Sequence, residues 1–512
     1  MAIAKTVYKK LNINVSERSY DFNRFLQKMD SVTDESVQNL ESAKSFKNFS
    51  VSSGVLSTGL GLEQLKFKSK LTGTDTAIYP NYTGQPLAMY CFPYLDPMSS
   101  EEADCMVVYT STKKVYYAHY VLPFRTFTEL TTPEFENAPN YLFYIMPNRT
   151  QVMMFSTTLQ PLTIFDFYSD YNQIQDAPQI TSLCNHHDRI FGVTARGRSA
   201  VWFSDESDPT NWQVSSSSAG NIMMNDMLGD CKKVLSFKGY VYVFREYGIT
   251  RISTYASQEN FVVQNVYESS NYIYSNTAVI CSDFILFLAT DGLYSFNGVS
   301  VAKINTGFEK LLASLDQSYS KGVQYKNSYY LICQTSLSDV NTDELHSKNT
   351  LLKFDYLTGN YEFLIGSNYI DIEKFNSSKV EKLAVIELVN YQDSSNYTTR
   401  ISQVEQSGEI YDTPTEKEWL SPKVDLGQAN YAKNIFAISL QTLHDCTVKI
   451  ITEKDEVSVH FSGSNVSQKK PVYISGVMVQ IKITSNTSNV TISHPVLHYK
   501  IGKANAWRKK LY

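Results

Sequence analysis

VYVFREYGITRI, Val241 to Ile252, is the plainest statement of the fold in this chain. Four strand-forming residues lead into three turn residues and a glycine, and a second strand-forming run comes next. ILFLATDGLYSF, Ile285 to Phe296, repeats the layout 44 positions later, and IFGVTARGRSAV, Ile190 to Val201, carries it earlier in the chain. Gly197, Gly248 and Gly292 hold the same offset in the three copies. Each copy reads as a β-hairpin whose tight turn calls for a positive φ, which glycine adopts without steric cost. Tyr329 of YYLI comes after Ile285 at the same interval, and the polar insertion SLSDVNTDELHSKN then stretches its hairpin.

A second hairpin accompanies the first. LYSFNGVSVAKI from Leu293 and LLKFDYLTGNYEFL from Leu351 each pair an aromatic residue with an Asn- or Asp-led turn. Such side chains cap backbone amides in turns. Roughly four strands in a period of about 40 to 50 residues is the pattern of propeller blades. Leu87 to Val121, Tyr141 to Phe167 and Lys382 to Thr413 read as looser blades. The expectation is an all-β chain with a β-propeller of about seven blades over residues 49–418. Phe49 to Phe67 is expected to donate a strand to the last blade. Two stacked β-sandwiches form the competing arrangement, which the constant glycine spacing disfavours.

AVWFSDESDPTNWQV, Ala200 to Val214, succeeds the hairpin at Ile190. Asp205 and Asp208 are expected to cap its turn, Pro209 to fix its backbone, and Trp212 to bury its ring against the next blade. After Trp419 the chain alternates strongly and predicts a small β-sandwich over 419–502. Residues 1–48 read as an N-terminal arm with a short helix at SYDFNRFLQKM, and 503–512 as a basic tail. Trp507, Arg508, Lys509 and Lys510 in that tail, and the arm itself, are candidates for docking to neighbouring proteins.

Composition narrows the chemistry. The 36 Tyr and 27 Phe suit pleated surfaces, and a net charge of −5 gives no global attraction for nucleic acid. Seven singly placed cysteines argue against a disulfide framework and fit a reducing cytosol. The first residues hold no apolar run expected of a signal peptide. His186 and His187 are neighbours on a strand, and His494 and His498 flank Pro495, so neither pair suits a metal. No nucleophile elbow or phosphate-cradling loop occurs. The expectation is no catalytic, cofactor-binding or metal-binding residue. SDESDPTNW is superficially similar to the Ser-x-Asp-x-Gly-x-x-Trp turn of sialidase blades, but its spacing is one residue longer and the glycine is missing. Arg189, Arg196, Arg198, Arg245 and Arg251 gather in the middle blades and keep a glycan-directed alternative open.

RIFGVTARGRSAVWFSDESDPTNWQV, KGYVYVFREYGITRI and DFILFLATDGLYSFNG together resemble a family. The family is that of the β-propeller virion proteins of tailed bacteriophages, which includes tail nozzle and connector proteins. The match spans roughly residues 180–304, and SPKVDLG is similar to the segment C-terminal to the propeller in that family. The resemblance implies a structural subunit of a ring, with a hexamer favoured. Such a ring retains DNA in the virion and forms part of the ejection conduit, with DNA as passing cargo. Assembly in the host cytoplasm, other tail proteins as partners and contact with a host surface at ejection are implied likewise. The alternative is a tail-associated propeller that binds a receptor or glycan, with glycan hydrolysis left open as part of it.

Overall fold

The computed structural model describes residues 17–22, 24–26, 28–30, 42–68, 75–77, 81–95, 102–119, 127–130, 134–146, 148–167, 172–174, 176–194, 199–206, 208–215, 217–255, 257–338, 344–377, 380–429 and 431–504. The chain is all-β, and among the described residues α-helix is confined to Glu309–Leu312. It divides into two compact units, one of residues 59–415 and one of residues 1–58 with 416–512.

The larger unit is a succession of antiparallel sheets. Five have four strands each among the described residues. The first runs from Pro86–Leu95 through Glu102–Thr110 and Val115–His119 to Thr128–Glu129. The second takes Asn140–Ile145, Gln151–Ser156, Thr163–Phe165 and Asn172–Gln173. The third takes Ile180–His186, Arg189–Thr194, Ala200–Phe203 and Gly220–Met223. Cys231–Phe237, Tyr240–Arg245, Gly248–Ser253 and Val262–Glu268 form the fourth. Ile273–Cys281, Phe284–Ala289, Gly292–Phe296 and Val301–Lys303 form the fifth. A nine-stranded sheet begins at Lys321–Tyr325, and in it the 18-residue strand Asn360–Ser377 joins two hairpins.

Burial explains why alternation is weak in these strands. Arg189–Thr194 and Ser328–Cys333 are buried at every position, and Tyr240–Arg245 and Phe284–Ala289 at all but the first. A strand covered on both faces needs apolar residues at successive positions rather than at every second one. The cover comes from neighbouring sheets. Phe92 and Phe143 stack at 4.5 Å between the first and second, and Phe244 meets Phe287 edge-on at 5.5 Å between the fourth and fifth. Met89 and Met106 of the first sheet share a core with Phe375, Ala384 and Ile386 of the nine-stranded sheet. Packing therefore returns from the end of the unit to its beginning.

The strand donated from before the first sheet is Gly61–Gln64, which pairs antiparallel with Asn396–Glu405 and buries Leu62 completely. Phe49–Ser52 and Val55–Thr58 do not join it. They form a hairpin in the other unit, where Val55–Thr58 pairs with Thr491–Ile492. The boundary expected at residue 49 thus lies at 59, and the one expected at 418 lies at 415.

Among the described residues the second unit contains two sheets. One holds Tyr431–Thr442, Ser464–Gly476 and Val496–Ala504; the other holds Lys417–Leu420, Cys446–Thr452, Glu456–Phe461 and Val479–Ser485. The N-terminal segment is part of both. Arg18–Asp21 is a strand along Val496–Ala504, where a short helix was expected, and Ser45–Lys47 pairs with Lys417–Leu420. Phe25 packs edge-on against the buried Trp419 at 4.8 Å. A strand wins over a helix because the open edge of Val496–Ala504 offers partners for the backbone groups at 18–21, and few local contacts would hold so short a helix.

Candidate functional site

The turn from Ser204 to Gln213 is built from side chains that replace missing backbone partners. The Ile190 amide donates to Ser204 Oγ at 3.0 Å, and the Thr210 amide to Asp208 Oδ1 at 3.0 Å. Ser218 Oγ donates to Asp205 Oδ1 at 2.6 Å. Burial raises the Asp205 carboxyl, but the hydrogen bonds from Ser218 and the Arg189 charge outweigh it and hold the group below the usual carboxylate range. Trp212 is 1% exposed, and its Nε1 donates to the Pro209 carbonyl at 2.9 Å. Its ring lies among Tyr144, Met154 and Ile164 of the second sheet and Ile180 of the third. It therefore packs against the preceding sheet, where the succeeding one was expected. The turn comes after the Ala200–Phe203 strand of the third sheet and carries the ring to the second.

Gly248 and Gly292 both come after two-residue turns, closing on Arg245 and Ala289. They do so for different reasons. Gly292 has φ +138, in the region that favours glycine. Gly248 has no such φ; a Cβ there would stand 2.5 Å from the Tyr267 carbonyl oxygen and 2.8 Å from Leu228 Cδ1. Close approach of a neighbouring strand, rather than the turn, excludes a side chain at 248. Gly197, Arg196, Arg198, Trp507, Arg508, Lys509 and Lys510 lie outside the described residues.

Among the described residues, the arginines of the middle sheets each have separate partners. Arg189 donates to the carbonyls of Ser204 and Ser218 at 2.9 and 2.7 Å. Arg245 is fully buried, donates to the Gly229 carbonyl at 2.8 Å and pairs with Asp226. Arg251 lies over the Tyr240 ring at 4.7 Å. His186 is 3% exposed and sits between Ser236 Oγ at 2.8 Å and Thr254 Oγ1 at 2.9 Å. Burial, with the neighbouring His187, lowers its pKa to about 4. His494 pairs with Asp21 at 3.2 Å, and His498 bonds Ser439 Oγ at 2.7 Å. Among the described residues no group of His, Cys, Asp and Glu has the arrangement of a metal site.

Two constellations carry no local sequence signal. In the first, Lys321 Nζ contacts Asp371 Oδ1 at 2.6 Å and Glu373 Oε2 at 3.6 Å, while Asp371 Oδ2 accepts the Met89 amide at 2.8 Å. Lys233 Nζ, from the fourth sheet, donates to the Ala278 carbonyl at 2.8 Å. Burial and the positive charge of Lys321 lower Lys233 to about 8, partly opposed by Glu373. Burial raises Glu373, against the pull of Lys321. Lysines of separate sheets thus sense one another and the same carboxylate.

The second is a cleft of about 410 Å³ whose walls include Gln64, Tyr82, Phe127, Thr398, Arg400 and Tyr411. Beneath it Glu387, 1% exposed, accepts from Arg400 Nε at 2.5 Å and from Ser367 Oγ at 2.7 Å, and also bonds the Ser402 hydroxyl. The Arg400 guanidinium lies 3.3 Å over the Tyr411 ring. Tyr82 meets Phe127 edge-on, at 82° and 5.1 Å. Sequence reasoning missed both groups because their members are brought together from opposite ends of the unit.

Comparison of the chain with protein-family models and with curated proteins gives no match.

Proposed function

We propose that the chain is a structural subunit of a bacteriophage tail or portal-proximal assembly, a nozzle or connector ring that retains DNA and forms part of its ejection conduit. In this reading residues 59–415 are a seven-bladed propeller. Five blades are the four-stranded sheets. The nine-stranded sheet supplies two more, divided near Gly366 (φ +124), where the register of Asn360–Ser377 shifts partners. Gly61–Gln64 closes the last blade, and the second unit is the accompanying β-sandwich.

The observation that carries the reading is where the motif residues stand. The hairpins that close on Gly248 and Gly292, and the Arg189–Thr194 and Ala200–Phe203 pair, occupy the same second-to-third-strand position in three consecutive sheets. The Ser204–Trp212 turn comes after the third strand of the first of them. These are the stretches that resemble the phage family. In this reading the Lys321, Asp371 and Glu373 network ties the first strands of two neighbouring blades together, and DNA passes through the ring of subunits and not through any one propeller. A near-neutral wall suits a conduit, since each phosphate contact would hold the DNA back.

Native mass spectrometry with electron microscopy of the purified protein tests this. The expected result is a closed ring, with six copies favoured, or a monomer that enters rings on addition of a phage connector complex. A protein that stays monomeric at every concentration and joins no such complex overturns the proposal.

A further inference from the structure

The cleft at Arg400 has features the conduit reading does not require. Its size falls within the roughly 300–1,000 Å³ of small-molecule sites. Its floor is apolar, with Pro86 and Phe127 buried, and its rim offers the exposed Gln64 and Thr398. Arg400 uses Nε on Glu387, and no hydrogen bond engages its two terminal nitrogens among the described residues. Those nitrogens form a fork of donors suited to two adjacent acceptor oxygens.

We propose that this cleft binds an uncharged saccharide, one pyranose ring seated on Tyr82 with a pair of vicinal hydroxyls on the Arg400 fork. Three observations select that chemistry. Arg400 is the single charged residue of the wall among the described residues, and the buried Glu387 already balances it, so a phosphate or carboxylate would meet no net positive charge. The aromatic rings Tyr82 and Phe127 stand edge-to-face, and the Tyr411 face is covered by Arg400, so the described residues offer no parallel slot for a flat heterocycle. A sugar ring has one apolar C–H face and a rim of hydroxyls, matching an aromatic floor with an amide, hydroxyl and guanidinium rim. The site lies within residues 59–415 and does not depend on ring assembly.

Saturation-transfer difference NMR on the full-length protein, with glucose, galactose, N-acetylglucosamine and glucuronate as probes, tests it. At least one neutral sugar is expected to receive saturation, and more than glucuronate. Tyr82→Ala should weaken binding tenfold or more. Thr398→Trp, on an exposed strand position, should fill the cleft and abolish transfer with the circular dichroism of the protein unchanged. Substitution of Tyr473, exposed in the other unit, should change nothing. Absence of transfer to all three neutral sugars, or transfer that survives Thr398→Trp, overturns the site. Stronger transfer to glucuronate overturns the uncharged assignment.

Discussion

His186 is held neutral by its surroundings. Two hydroxyls occupy both ring nitrogens in a nearly closed space, and His187 adjoins it, so its pKa is lowered to about 4 from an ordinary 6.5. Above pH 6.5 the ring is neutral in the folded and unfolded chain alike. As pH falls from 6.5 towards 4, the unfolded chain takes up a proton that the folded chain does not. Stability therefore drops through that window and levels off below it, by about 3 kcal/mol for a shift of this size. Urea unfolding at neutral pH and near pH 4 checks this. The wild-type midpoint should fall more than that of His186→Gln, and equal losses would remove His186 as the cause. Trp212 shows what a single residue discloses in sequence. That a tryptophan in a polar loop is buried could be read from its company of Asp, Pro and Asn. Which sheet it buries against could not, because that depends on how the neighbouring sheets stack.

Among the strands, the closing one is the most exacting. Gly61–Gln64 contributes only four residues, yet Leu62 is fully enclosed, pairs with Val404, and its carbonyl accepts the Tyr411 amide. Leu62→Ala should cost about 2–5 kcal/mol. Amide exchange should rise first in Ser402–Glu405, and a uniform rise across the unit would contradict a local closing role. The hairpins at Val241 and Ile285 were legible because their signal is local, with apolar runs, three turn residues and a glycine, although the first of the three belongs to the strand in each. Gly248 was legible as necessary but for the wrong reason, since its neighbour Tyr267 lies on another strand. The Lys321 and Glu387 groups were illegible for the same cause. Nothing within a few residues of Glu387 announces that Ser367, Arg400 and Ser402 will surround it.

Across the full chain, the two ends belong to one unit. Phe25, Phe46, Phe49 and Leu56 are all buried, and each contributes about 1.5–3 kcal/mol by its burial. A fragment of residues 416–512 should accordingly lack near-ultraviolet dichroism and aggregate on size-exclusion columns. The same fragment joined to residues 1–58 should run as a compact species. A well-folded 416–512 fragment would refute the dependence. Terminal strands of this kind escape a reading by segments, which takes a polar beginning for an arm when its partners lie roughly 370 to 480 residues away. The closing strand also has a cost in time. Lys66 and Gln403, hydrogen-bonded at its border, stand 337 positions apart. At about 5–20 residues per second, a ribosome needs roughly 20–70 s to deliver the second after the first. For that interval the segment Gly61–Gln64 lacks the strand it pairs with, and the order of synthesis leaves the nine-stranded sheet incomplete until Asn396–Glu405 emerges.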